Sequence, residues 1–296
     1  MKIPKRLQPL LEDGVIDRVL TQLKSGKEAA VYLVEVAGTQ RCAKVYKEAQ
    51  NRSFRQAATY QEGRNHKNSR RARAIEKGSR FGKQEQESAW QSAEADALMK
   101  LNRAGLRVPN CYGFFEGVLL MDVITDEDGR PAPRLSDVVF SEQEALNAHA
   151  ELIAQVVKML LAGLVHGDLS EFNILQSSEG PIIIDLPQAV DAANNNHARD
   201  FFMRDVQNLA NFFGQFAPQL LATNYGGEIW QHYAAGKLTE NTELTGVYHA
   251  PEHDADVGSV LREIEETLKE EAARQRRLSG EAPPEPDPYA DYTDHN

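Results

Sequence analysis

His166-Gly167-Asp168-Leu169-Ser170-Glu171-Phe172-Asn173 is the stretch that organises this sequence, and Ile182-Ile183-Ile184-Asp185 answers it 12 residues after Asn173. Apolar positions at helical spacing from Glu142 to Ala162, closed by Gly163, lead into the first segment. Ile174-Leu175 and Pro181 to Asp185 predict a short hairpin with Gly180 in its turn. Taken singly, Asp168 and Asn173 read as turn residues and Asp185 as a strand-end cap. Taken together, a buried helix, a polar loop and a strand-end carboxylate bring two carboxylates and one amide oxygen towards one place.

N-terminal to the loop, Gly117 to Ile124 predicts a buried strand. Asp126-Glu127-Asp128-Gly129-Arg130-Pro131-Ala132-Pro133 then breaks regular structure and marks a hinge. From about Glu85 to Ala104, Trp90, Ala93, Ala97, Leu98 and Leu101 form a helical stripe closed by Gly105. Ala29 to Val36 and Arg41 to Tyr46 read as a hairpin turning at Gly38-Thr39. Leu7, Leu10 and Leu11, then Ile16, Val19, Leu20 and Leu23, recur at helical spacing on either side of Asp13-Gly14. After the hairpin, Asp200 to Gln215 is a Phe-rich helix, and Val257, Val260, Leu261, Ile264 and Leu268 mark another. Ser279 to Asn296 is Pro-rich and acidic and predicts disorder.

This order predicts an α+β fold of two lobes: a small β-rich N-lobe over 1–123, a mostly helical C-lobe over 124–256, and a terminal helix with an acidic tail over 257–296. A cleft between the lobes is the expected ligand site. The length of 296 residues is enough for one large bilobal domain or two ordinary ones, and 41% apolar and 26% charged residues suit a soluble globular protein. Cys42 and Cys111 exclude a disulfide framework and lack the partners for zinc, so they read as buried or half-buried thiols. No apolar stretch approaches the ~20 residues of a membrane span. Met1-Lys2-Ile3-Pro4-Lys5-Arg6 is followed by no apolar core, so no signal peptide is expected. The expected location is the cytoplasm, with no membrane partner. The net charge is -11, yet residues 47–83 carry 11 Lys and Arg against three Glu, a segment of +8 on an otherwise acidic chain. Such a segment is a candidate contact for RNA or another anion, or simply a solvated loop.

The spacing of His166 to Asn173 matches the protein-kinase catalytic loop, H-R-D-L-x-x-x-N, with Gly167 in place of Arg. Phosphoryl transfer asks the protein for positioning and charge neutralisation rather than covalent help. Asp168 suits the orientation of an acceptor hydroxyl. Asn173 and Asp185 supply the hard oxygens that Mg2+ (or Mn2+) prefers. Lys24-Ser25-Gly26-Lys27-Glu28-Ala29-Ala30-Val31-Tyr32 holds one Gly and is neither a Walker A loop nor G-x-G-x-x-G. It reads either as an ordinary turn or as a loop whose N–H groups, with Ser25 and Lys27, cover ATP phosphates. Cys42-Ala43-Lys44-Val45-Tyr46 resembles the V-A-I-K strand, and alternation turns Lys44 away from Ala43 and Val45 into the cleft. Glu94 is the expected carboxylate partner of Lys44, with Glu87 the second choice.

These residues resemble the RIO kinases, atypical serine protein kinases, in their type-1 branch and bacterial form. The resemblance runs from about Val15 to Phe213. It is carried by Ser25 to Tyr32, Lys44-Val45-Tyr46-Lys47, Trp90 with Glu94, Met121 with Pro131-Ala132-Pro133, His166 to Asn173, Ile184-Asp185-Leu186-Pro187-Gln188-Ala189-Val190, and Arg204-Asp205. It implies a trimmed kinase fold, without the usual activation loop and later substrate-binding helices. Ala250-Pro251-Glu252 lies too far from Asp185 to close such a loop. It implies a catalytic Asp168, metal ligands Asn173 and Asp185, and a nucleotide site including Ser25, Gly26, Lys27, Lys44, Glu94, Met121 and Val123. It also implies an autophosphorylated serine in the basic loop, for which Ser53, Ser69 and Ser79 qualify. Through the family's ATPase activity by way of a phosphorylated aspartate, it implies for Asp185 a second, catalytic role as nucleophile. Two departures limit the likeness: Gly167 removes the Arg that reads activation-loop phosphate, and Asp185 precedes Leu186-Pro187 rather than Phe-Gly.

Four functions stay open at this point. They are an autophosphorylating serine/threonine protein kinase, an ATPase acting on ribosomal particles or RNA, a small-molecule kinase of aminoglycoside or choline type, and a nucleotide-binding scaffold. The third shares H-G-D-x-x-x-x-N but leaves Ser25 to Tyr32 and Gln188 unexplained. The fourth sits poorly with an intact Lys44, Asp168, Asn173 and Asp185.

Overall fold

The computed structural model describes residues 3–47 and 80–248, with the backbone alone over 80–91. The expected helix at Val257 to Leu268, the tail from Ser279, Ala250-Pro251-Glu252, Ser53, Ser69, Ser79 and most of the basic segment lie outside the described residues, as do the side chains of Glu87 and Trp90. Among the described residues no helix is long and apolar enough to cross a membrane.

A five-stranded antiparallel sheet forms the N-terminal part, in the order β1-β2-β3-β5-β4. Its strands are β1 (Arg18–Ser25), β2 (Ala29–Val36), β3 (Thr39–Tyr46), β4 (Cys111–Phe115) and β5 (Val118–Asp122). The β2–β3 pair is the expected hairpin, with Val36 opposite Thr39. Its turn is Ala37-Gly38, both at positive φ (48° and 74°), one position before the expected Gly38-Thr39. That mirror-image turn matches the right-handed strand twist, and Gly38 carries its second left-handed position without strain.

The helical reading of Ile16 to Leu23 is overturned, because this run is β1. Pairing with β2 is irregular between Val19 and Thr21 and again between Gln22 and Lys24. Each bulge breaks the two-residue alternation. Half-buried Val19, Leu20 and Leu23 therefore fall at a spacing that imitates a helix. The first run is helical: a 3-10 turn (Lys5–Leu7) passes into α1 (Gln8–Glu12). Leu7, Leu10 and Ile16 pack on Ala30, Tyr32, Val34, Ala43, Val45, Val118 and Leu120, making a core on one sheet face. Alternation sends Lys44 and Tyr46 to the other face, towards α2 (Arg80–Arg103). That helix begins five residues before the expected start at Glu85.

After β5, α3 (Glu142–Leu161) forms the centre of the second core. Ser141 and Glu144 make a reciprocal capping box at its start, a device that contributes about 1 kcal/mol. Its buried face, including Ala145, Leu152, Val156, Met159 and Leu160, meets Phe202, Val206, Leu209 and Phe213 of α4 (Ala198–Phe213). Short ribbons β6 (Leu164–Val165) with β9 (Val190–Asp191), and β7 (Ile174–Ser177) with β8 (Gly180–Ile183), sit between these helices in the chain. A last described helix, α5 (Tyr225–Ala234), packs on α3 and α4. β4, β6, β9 and α5 correspond to no element expected from the sequence. Cys42 is buried and Cys111 half-buried, both free thiols, as expected.

Candidate active site

Both chemically important loops leave the same two-stranded ribbon. Leu164 pairs with Asp191 and Val165 with Val190, so residues 166–173 and 184–189 start and finish side by side. The β7–β8 register, Ile174 opposite Ile183, is continued by the Ile184 N–H donating to the Asn173 carbonyl at 3.0 Å. Asn173 and Asp185 thus lie at the same open end of a hairpin.

The loop between them is held from below. His166 is buried; its Nε2 bonds the Ile184 carbonyl at 3.0 Å and its Nδ1 accepts the Asp168 N–H at 3.2 Å. One nitrogen donating and one accepting is the neutral imidazole, and desolvation lowers its pKa in agreement. Asp205, buried on α4, accepts the Gly167 N–H at 2.7 Å and the Leu169 N–H at 3.0 Å, the two amides flanking Asp168. Arg204 donates to the Gly167 carbonyl, and Asn208 Nδ2 to the Leu169 carbonyl at 2.9 Å. The peptide groups of Gly167 and Leu169 on either side of Asp168 are therefore set by α4, while His166 and Asn173 hold the N–H and carbonyl of Asp168 itself. Burial pushes the Asp205 carboxyl up to about 7 against the pull of its two N–H donors. The ionised form is the one that accepts at both oxygens.

The side chains expected to do chemistry come together from distant segments. Lys44 Nζ lies 2.9 and 2.7 Å from the two Glu94 oxygens and 2.6 Å from Asp185 Oδ1. Glu94 is 1% exposed and Lys44 8%. Desolvation alone would discharge Lys44, but the two carboxylates outweigh it and raise its pKa. Desolvation likewise disfavours the Asp185 anion, and the charge and hydrogen bond of Lys44 reverse this, leaving its pKa lowered. Asp185 has a positive φ of 67°, a left-handed conformation uncommon outside glycine that Asp tolerates better than most. Asn173 Nδ2 donates to the Asp168 carbonyl at 2.8 Å and to Asp168 Oδ2 at 3.3 Å. Asp168 reaches solvent, yet partial desolvation, with Asp185 adding to it, raises its carboxyl pKa.

Ser25, Gly26 and Lys27 are exposed at the end of β1 and on the turn into β2. The Gly26 N–H bonds the Ala29 carbonyl at 2.8 Å, and Lys47 Nζ donates to the Gly26 carbonyl at 2.5 Å. Met121 is half-buried on β5, opposite Cys42 on one side and Cys111 on the other, and Val123 follows the strand. Among the described residues no hydrogen bond or ion pair joins Ser25, Lys27, Met121 or Val123 to Asp168, Asn173 or Asp185. The sequence assigns no individual role to Asp205 or Tyr46. A signal was there: Asp205 interrupts the apolar stripe Phe201, Phe202, Val206, Leu209, where a carboxylate is retained only with partners.

The donor set fits a magnesium ion. The Asn173 amide nitrogen is taken up by Asp168, which leaves its oxygen as the atom that could face a cation, and Lys44 favours the ionised form of Asp185. A hard-oxygen pair of one negative charge, completed by water and phosphate, is a magnesium pattern.

The sequence model of the RIO domain matches residues 30–225. The RIO-type serine/threonine-protein kinase Rio1 of Haloferax volcanii is 35% identical over 213 residues, covering 69% of this chain and 66% of that protein. Serine/threonine-protein kinase RIO1 of Homo sapiens is 32% identical over 206 residues, 69% of this chain and 34% of that protein. The chain thus spans less than two thirds of the length of these curated relatives. Among solved structures, the kinase domain of Mycobacterium tuberculosis PknI aligns over 71% of this chain and 85% of its own, at 16% identity and TM-score 0.39. On the match over residues 30–225, which contains Lys44, Glu94, Asp168, Asn173, Asp185 and Asp205, this chain belongs to the RIO domain family.

Proposed function

We propose that the chain is an ATP-dependent serine/threonine protein kinase with its active site at Asp168, Asn173 and Asp185. The observation that carries this is the 2.6 Å contact of Lys44 with Asp185, which joins the N-terminal sheet to the loop region that also holds Asp168 and Asn173. A cation from one side of the cleft meets a pair of metal-type oxygens from the other, as a metal–triphosphate complex requires. The names of the relatives support the same activity.

In this reading Lys44, kept extended by Glu94, meets nucleotide phosphates. The turn at Ser25, Gly26 and Lys27 covers them, and Met121 and Val123 border the base. Asp168 accepts a hydrogen bond from the acceptor hydroxyl and takes its proton as the oxygen attacks the terminal phosphorus; the bond to the ADP oxygen breaks. Its raised pKa makes it the stronger base of the two aspartates. Asn173 and Asp185 would hold Mg2+ (or Mn2+), which supplies neutralisation of the phosphate charge. A small-molecule kinase is disfavoured by the family assignment. Work as an ATPase on ribosomal particles or RNA, with Asp185 as nucleophile and residues 47–83 as the contact, rests on the +8 charge of that segment. A cytoplasmic location is part of the same reading.

Incubation of the purified chain with γ-labelled ATP and magnesium tests both forms. Acid-stable serine or threonine label, absent in Asp168→Ala, is expected of a kinase, and acid-labile label on Asp185 of the ATPase. No label and no ATP turnover would overturn the proposal.

A further inference from the structure

The nucleotide reading assigns Lys44 and Glu94 but leaves Tyr46 unused. Tyr46 follows Lys44 by two on β3, so both side chains leave the same sheet face. It is 1% exposed, with its ring edge-on to Phe114 at 6.2 Å. Its hydroxyl donates to Glu94 Oε2, the oxygen that also receives the shorter Lys44 bond, and Lys44 Nζ lies 5.4 Å from its ring centroid. One aromatic side chain thus touches both members of the buried pair and is itself shut away from any ligand.

Lys44 has a four-carbon stem and two carboxylates to choose between. Glu94 sits on α2 and reaches the sheet only through its side chain. With Lys44 as sole partner, its carboxylate would follow the ammonium wherever Asp185 or a ligand drew it. A rigid phenol with two rotatable bonds, fixed in the β3 ladder, removes that freedom. We propose that Tyr46 is a positioning residue: its hydroxyl fixes Glu94 and its ring flanks Lys44, so that the ammonium stands where nucleotide phosphates arrive. This rests on the nucleotide reading of the site.

Tyr46→Phe keeps the ring, the volume and the flanking of Lys44, and removes only the hydroxyl. Calorimetric titration with Mg-ATP and with AMP separates positioning from packing, since AMP lacks the phosphates that Lys44 would meet. The Kd for Mg-ATP is expected to rise about tenfold, the worth of one hydrogen bond to a charged group, with AMP affinity kept within about twofold. In a Glu94→Gln background the same substitution is expected to add little, because its partner is already altered. Equal weakening of ATP and AMP, or an unchanged Mg-ATP Kd, would overturn the role of Tyr46 while leaving the nucleotide site in place. Failure of the unaltered chain to bind Mg-ATP would overturn the nucleotide reading itself.

Discussion

Lys44 Nζ and Asp185 Oδ1 stand 2.6 Å apart although 141 positions separate them, and Lys44 also faces Glu94. The two carboxylates are not equivalent. Glu94 is sealed at 1% exposure, whereas the Asp185 side chain is 42% exposed and open to a ligand. Asp185→Asn should therefore keep the fold, since Glu94 still neutralises Lys44, while magnesium no longer strengthens ATP binding. Titrating ATP with and without magnesium checks this, and a wild-type magnesium response in the variant would remove Asp185 from the metal site.

Lys44→Ala should behave differently. It leaves the buried Glu94 carboxylate with the Tyr46 hydroxyl but no counter-charge, and breaking a buried pair from one side costs about 3 kcal/mol or more. Urea unfolding should show that loss alongside lost ATP binding. An undiminished midpoint would mean Glu94 finds water or another partner.

Asp168→Asn should lower phosphoryl transfer by about a thousandfold, within the range for loss of a general base. ATP affinity should hardly change, because among the described residues no hydrogen bond or ion pair joins Asp168 directly to Lys44, whose partners are Glu94 and Asp185. Single-turnover transfer and equilibrium ATP binding, measured on one preparation, make the comparison.

Asp205→Asn probes the support under that loop. A carboxylate accepts from Gly167 and Leu169 at once, but an amide turns one N–H2 against an N–H donor. An unsatisfied buried donor costs about 2 kcal/mol, and a displaced Asp168 loses its aim. Melting temperature and transfer rate should both fall, with the rate falling further than in a stability-matched core variant.

The legible parts of the fold were those where local pattern and tertiary demand agree. The α3 stripe and its Ser141–Glu144 cap, the β2–β3 hairpin and the β7–β8 hairpin are instances. The convergence of Asp168 with Asn173 and of Lys44 with Asp185 was legible because the spacing of His166 to Asn173 and the strand end at Asp185 fix where those side chains fall. β1 misled because its bulges replace alternation with a helix-like rhythm. β4 was invisible: Cys111 to Phe115 shows no clear alternation of burial, and its pairing with β5 comes from a turn at Glu116-Gly117. The role of Asp205 depends on backbone amides 38 and 36 positions away, which no local window contains.

His149 gives the stability of the second core a pH dependence. It is 2% exposed between the rings of Phe213 and Tyr225, with no hydrogen bond to Nε2 among the described residues. Burial pushes its pKa down to about 4, below the unfolded value of 6.5. Between those two values the unfolded chain binds the extra proton, so stability falls as pH drops from about 6.5 to about 4 and levels off below. The gap corresponds to about 3 kcal/mol at its fullest. His149→Phe removes the titrating group while keeping an aromatic ring among aromatics. Urea midpoints of the two proteins should lie close at pH 7.5 and separate at pH 5 in favour of the variant; parallel loss in both would place the acid sensitivity elsewhere.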